Sequence, residues 1–198
     1  MRIQVIHAHP LPDSYNRALF DRIVATLKSD GHEVIATDLY ADGFAPALSS
    51  AERASYYALP YEAADLAPYV EALRSVDGLV FCFPQWWFGM PAILKGYVDR
   101  VWGPGIAFEL DRAGGRIRPL LMNIRLFGVV TSYGSPWWFA RLVAGDPGRK
   151  TLLRALRPLC SRRAETFYLA HYDMDRSTPQ SRAAFLARVE ARLRGISA

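Results

Sequence analysis

Residues Gly78–Trp102 read GLVFCFPQWWFGMPAILKGYVDRVW. Gly78–Phe83 is apolar throughout, as a strand covered on both faces reads. Pro91–Trp102 reads as a helix with proline in its first turn. Between them, Pro84–Gly89 (PQWWFG) sets three large aromatics where the apolar run has ended. Strand, loop and helix in direct succession form one unit of a parallel α/β layout.

The same alternation extends in both directions. Upstream, Ile3–Ala8 (IQVIHA) is a short β-rich run. Ser14–Lys28 follows with Leu19, Ile23, Val24 and Leu27 at helical spacing, and Gly31 stands where a helix C-terminus needs a left-handed residue. Glu33–Tyr40 is a second strand and Leu66–Asp77 a second helix. Downstream, Leu126–Gly134 (LFGVVTSYG) is a strand running into a turn, Trp137–Leu159 holds helix, Ala164–Tyr172 is a fifth strand and Thr178–Leu193 a last helix. Alternating strands and helices predict a parallel sheet with helices on both faces. Five strands fit the flavodoxin-like order 2-1-3-4-5, in one domain spanning residues 1–198. The irregular stretch Ala41–Ala64 is expected to wrap over a neighbour.

Composition narrows the function classes. A length of 198 residues with 51% apolar and 22% charged residues supplies one core and one domain. The net charge of +5 admits nucleic acid, a membrane surface or small anions as partners. No run of five basic residues exists, so no nucleic-acid partner is expected. Cys82 and Cys160 form no C-x-x-C pair, which leaves no redox dithiol or zinc signal. The N-terminal apolar run is too short for a signal peptide, and no apolar stretch reaches membrane-spanning length. The expected compartment is the cytoplasm.

A doubly wound sheet binds ligands at the carboxyl ends of its strands, near the point where strand order reverses. After strand one, HAHPLPDSYNRAL (His7–Leu19) places Ser14 and Asn16 at a helix start. Free N–H groups and the helix dipole there favour a phosphate; the plain alternative is that Asp13 or Ser14 caps the helix. No G-x-G-x-x-G is present. His7 and His9 lack a third ligand at a useful spacing, so no metal is expected, and His9 is better placed to donate to a phosphate or sugar. After strand three, Gln85, Trp86, Trp87 and Phe88 are consecutive and cannot all face one core. Rings at a sheet edge suit a planar heterocycle. After strand four, Thr131–Gly134 (TSYG) and Ser135–Phe139 (SPWWF) supply hydroxyls and a far wall. A phosphate site, an aromatic shelf and a polar turn together describe a flavin site.

These residues resemble the NAD(P)H:quinone oxidoreductases of the DT-diaphorase type, a family of the flavodoxin-like superfamily. It includes bacterial quinone reductases and the ancillary flavoprotein of a glutathione-gated potassium efflux system. The resemblance covers nearly the whole chain: AH followed by SYNRAL, TDLYADGFAP (Thr37–Pro46), and above all FP-WWFGMPAILKGYVDRV. It implies that His9, Ser14, Tyr15, Asn16 and Ala18 hold the phosphate and ribityl chain. It likewise assigns Pro84, Gln85, Trp86, Trp87 and Phe88 to the flavin ring, and Thr131, Ser132, Tyr133 and Gly134 to its pyrimidine side. Arg182 falls near the adenine end, which tilts the cofactor toward FAD over FMN.

The departures are specific. Gln85 and Trp86 stand where the family has Leu-Gln or Met-Gln. A Tyr and a His near the ring in animal members are matched here by Phe108 and Ala144. Tyr133 replaces a family glycine, and its hydroxyl is the expected proton donor. Phe108 and Trp137 are expected to meet the substrate. The resemblance implies hydride transfer from NAD(P)H through the flavin to a quinone or similar flat acceptor, by a ping-pong mechanism. A regulatory flavoprotein on a potassium efflux transporter and an azoreductase are the alternatives. Family members are usually dimers with the site between subunits; Ala41–Tyr61 and Trp102–Phe108 are candidate interface.

Overall fold

The computed structural model describes residues 1–58, 64–111 and 115–196. Five strands, β1 (Arg2–His7), β2 (Glu33–Asp38), β3 (Gly78–Gln85), β6 (Leu126–Tyr133) and β7 (Glu165–His171), form one all-parallel sheet in the order β2-β1-β3-β6-β7. Counting only these strands, that is the predicted order 2-1-3-4-5. Two further strands, β4 (Phe108–Leu110) and β5 (Ile117–Pro119), make a small antiparallel hairpin outside it. They are too short to show periodicity in the sequence. Of the expected interface stretch Ala41–Tyr61, residues 59–61 lie outside the described residues.

The central strands are buried on both faces, which explains their unbroken apolar sequence. On one face, Leu19, Phe20, Ile23 and Leu27 of α1 (Tyr15–Ser29) and Phe185, Val189 and Leu193 of α6 (Pro179–Leu193) pack on Val5, Val80 and Val130. On the other, Leu73 of α3 (Ala67–Ser75) and Leu94, Tyr97 and Val101 of α4 (Ala92–Val101) pack on Phe81, Phe83 and Phe127. Gly31 (φ 82°) closes α1 as expected: its N–H donates to Lys28 O while His32 N–H donates to Leu27 O.

Three expectations need correction. Pro84 and Gln85 belong to β3, not to the loop, and pair in register with Ser132 and Tyr133. A proline within a central strand argues against strand in sequence, but here it falls at the carboxyl end. The helix expected over Trp137–Leu159 is broken into π-helical turns at Phe139–Val143 and Thr151–Leu156, flanking the short α5 (Pro147–Lys150). Gly145 (φ 71°) and Asp146 (φ 50°) are left-handed ahead of Pro147, and no helix passes through that geometry. Ala41–Ala64 is not wholly irregular: Ser50–Ser55 forms α2, closed by a capping box between Ser49 and Glu52. Its described part wraps as expected, and residues 59–63 lie outside the described residues. Arg100 of α4 is buried and bonds Glu52, Asp65 and Ala45 O from below it. Among the described residues no helix is long and apolar enough to cross a membrane.

Candidate flavin-type pocket

A cavity of about 600 Å³ opens at the carboxyl ends of β1, β3, β6 and β7, lined by strand ends, the first turn of α1 and the segments that follow β1, β3, β6 and β7. His9, Ser14, Tyr15, Asn16, Pro84, Gln85, Trp86, Trp87, Ser132 and Gly134 line it, and so do Met174 and Asp175.

At one end the first turn of α1 supplies donors. Ser14 is both cap and wall: its Oγ accepts from Arg17 N–H at 3.1 Å, and its carbonyl accepts from Ala18 N–H. The capping and anion-binding readings are therefore compatible. The first-turn N–H groups of Tyr15 and Asn16 have no partner within the helix. Asn16 is buried, and its Nδ2 has no hydrogen-bond partner among the described residues. A buried amide with an unmet donor is costly unless a ligand takes it up. His9 Nδ1 accepts from Leu11 N–H at 3.1 Å, so in the neutral ring Nε2 carries the proton. Tyr15 donates its hydroxyl to Arg182 O, and burial pushes its pKa well up, so it stays protonated.

At the other end stands the aromatic turn. Trp86 and Gly89 exchange both backbone hydrogen bonds, at 3.1 and 3.0 Å. Trp87 (φ 51°) and Phe88 (φ 59°) are the central residues of this two-residue turn, both left-handed. That conformation favours glycine and asparagine, and bulky aromatics in it mark strain held for a purpose. The turn's own bonds leave the N–H groups of Trp87 and Phe88 free. Trp87 is 97% exposed.

The remaining expected residues lie elsewhere. Ala18 is exposed outside the lining. Thr131 is buried and donates to Phe83 O at 2.7 Å, tying β6 to β3. Phe88 turns its ring toward Phe139. Arg182 donates to Ser177 O and Oγ. Phe108 sits in the hairpin and Trp137 on the surface, neither in the lining. Tyr133, the expected proton donor, is 1% exposed and donates to Asp146 Oδ1 at 2.6 Å, off the cavity. Burial and the neighbouring Tyr168 and Asp146 hold its pKa far above the usual phenol value. Successive strand residues alternate faces, so Ser132 and Gly134 face the pocket and Tyr133 faces away. His7 is buried beside Asp38, stacked on Phe20, and burial lowers its pKa.

Sequence reasoning missed Met174 and Asp175, which follow β7 behind the left-handed Asp173 (φ 61°). An Asp175 carboxylate oxygen would lie 2.7 Å from a Cβ on Gly134, so the two loops approach closely here and a larger residue would push the Asp175 side chain aside. The signal was the polar run YDMDRST after the last strand, ending in the Thr178 cap.

The family described as "Flavodoxin-like fold" matches residues 1–193, and the chain belongs to it. It is similar to NAD(P)H dehydrogenase (quinone) 1 of Rattus norvegicus, with 36% identity over 152 residues that cover 67% of this chain and 56% of the rat protein. The chain spans about half the length of the curated relatives it matches. A crystal structure of Smu.1420 from Streptococcus mutans UA159 is similar over 99% of this chain and 100% of its own, at 28% identity and a TM-score of 0.85. The fold is also that of an NAD(P)H:quinone oxidoreductase from Methanothermobacter marburgensis, with a TM-score of 0.87 at 23% identity over 100% of this chain and 99% of that one.

Proposed function

We propose that this member of the flavodoxin-like family is a flavin-dependent NAD(P)H oxidoreductase that reduces a quinone or similar flat acceptor. One observation carries the reading: a single cavity joins the donor-rich first turn of α1 to a left-handed aromatic turn. The two ends suit a phosphate and a planar ring system. His9 Nε2, Asn16 Nδ2 and the N–H groups of Tyr15 and Asn16 are the donors offered to the phosphate and ribityl chain. Trp86, Trp87 and Gln85 would flank the ring, the N–H groups of Trp87 and Phe88 would be the donors offered to its edge, and Ser132 and Gly134 would hold its far side. FMN and FAD both carry these groups. Arg182, which spoke for the adenine half, is engaged with Ser177 outside the lining. A bound flavin supplies the hydride chemistry, and the protein supplies binding, orientation and electrostatics.

The overall reaction passes two electrons as hydride from NAD(P)H to the acceptor, which also takes a proton. With Tyr133 turned away, that proton comes from solvent at the open mouth. One cavity admits one planar substrate at a time, so donor and acceptor use the same place in turn. In the segment whose Phe139 meets Phe88, Trp137, Trp138, Leu142 and Val143 are each exposed, and a second copy of the chain would cover them.

Steady-state kinetics of the FMN-loaded protein, varying NADPH against a soluble quinone, should give parallel double-reciprocal lines. Intersecting lines contradict the shared place. Sedimentation of the same preparation at twice 22.2 kDa supports the pairing of copies, and sedimentation at the single mass contradicts it.

A further inference from the structure

From Gln85 in the pocket wall a chain of side-chain hydrogen bonds runs back into the protein, away from the proposed flavin contacts. Gln85 Nε2 donates to Tyr168 Oη at 3.3 Å, the hydroxyls of Tyr168 and Tyr133 meet at 2.6 Å, and Tyr133 O–H donates to Asp146 Oδ1 at 2.6 Å. A carboxylate only accepts, so the Tyr133 proton points to Asp146 and Tyr168 donates to Tyr133. Every direction is thus set, from the pocket wall to the carboxylate. Gln85, Tyr133 and Asp146 are buried. Tyr172 stacks on Tyr133 at 4.7 Å, and the Arg149 guanidinium lies 5.3 Å over the Tyr168 ring.

Both ends of the chain reach the aromatic turn. Gln85 ends β3, lines the pocket and directly precedes Trp86. At the other end Asp146 holds its segment in place: its N–H donates to Ala140 O at 2.8 Å, and two residues on Gly148 N–H donates to Phe88 O at 2.8 Å. A Cβ at Gly148 would overlap Gln85 Oε1 and stand 2.7 Å from Phe88 O, so this segment lies directly on the turn. The turn needs such support, because a left-handed L-residue costs about 1–2 kcal/mol and here two are consecutive.

Resting on the flavin reading above, we infer that Tyr133 is a positioning residue, which by fixing Asp146 and Tyr168 holds the Trp86–Gly89 turn in its ligand-binding shape from behind the pocket. Its hydroxyl is spent on holding the donors of Trp87 and Phe88, not on proton transfer.

The test is FMN titration of wild type, Tyr133→Phe and Asp146→Asn, with near-ultraviolet circular dichroism of the flavin-free proteins as a second readout. Tyr133→Phe removes a buried hydrogen bond to a charged group and should weaken FMN binding about tenfold. It should also change the tryptophan near-ultraviolet signal while the far-ultraviolet signal stays. Asp146→Asn keeps an acceptor for Tyr133 and tolerates the left-handed backbone, so its loss should be smaller, about threefold. Unchanged affinity and unchanged near-ultraviolet signal in Tyr133→Phe overturn the inference. A lower melting temperature with FMN affinity intact overturns it too, since the role would then be structural only. Tyr168→Phe covers the case in which Tyr133→Phe does not fold: it cuts the same chain nearer Gln85, and wild-type affinity there is also a refutation. If wild type takes up no FMN, the flavin reading falls by itself. The flavin-free spectra then still decide whether Tyr133 holds the turn.

Discussion

Trp87 is 97% exposed, yet its backbone is left-handed at φ 51°. Nothing in packing compensates a ring in water for that conformation. Replacing it by glycine relieves about 1–2 kcal/mol of backbone strain and costs about 0.5–1 kcal/mol in unfolded-chain freedom. Trp87→Gly should therefore stabilise the protein by about 0.5–1 kcal/mol in urea unfolding, while FMN affinity falls severalfold. Lower stability with unchanged affinity would show that the ring packs and does not bind. At this scale the sequence was legible where chemistry and position agree. His9, Ser14, Asn16 and Trp86 follow strand ends, and all four line the cavity. Tyr133 was misread because a hydroxyl next to two pocket residues looks available, whereas strand alternation turns it to the opposite face. Met174 and Asp175 escaped because the switch-point rule directs attention to the inner strands, and β7 is an edge strand.

Gly96, in the middle of α4, shows how an element is fixed by what lies on it. In an isolated helix Gly→Ala gains about 1 kcal/mol. Here the added Cβ would overlap the carbonyl of Pro46, backbone that Arg100 fixes through Ala45 O at 2.6 Å. Overpacking of that kind costs about 1–3 kcal/mol, so Gly96→Ala should lower the unfolding free energy by about 1–2 kcal/mol. A gain in stability would show that the Ala45–Pro46 segment is not seated on α4. The long elements could be read from sequence because each is buried on a whole face or a whole stripe: β3 and β6 as unbroken apolar runs, α1 from Leu19, Ile23 and Leu27. The β4–β5 hairpin could not, since three-residue strands carry no period. The break at Gly145–Asp146–Pro147 was written in the residues, but the apolar stretches on either side masked it.

For the whole molecule, the strand order does the organising. With β1 and β3 adjacent at the reversal of the sheet, loops that are far apart in sequence meet on one edge. His9 and Trp86 are 77 residues apart in number, yet both line the pocket and their rings meet at a tilt with centroids 6.0 Å apart. The topology followed from alternating strands and helices; the cavity's full lining did not, because the course of the last loop depends on packing around Gly134 and Asp175. The central claim is that this edge holds a flavin. The most direct measurement is visible absorption of the purified protein, before and after incubation with FMN or FAD and gel filtration, with chromatography of whatever heat releases. The account predicts a yellow protein carrying close to one flavin per chain, with a melting temperature that rises with flavin concentration. A colourless protein that retains neither flavin and gains no stability from either contradicts it.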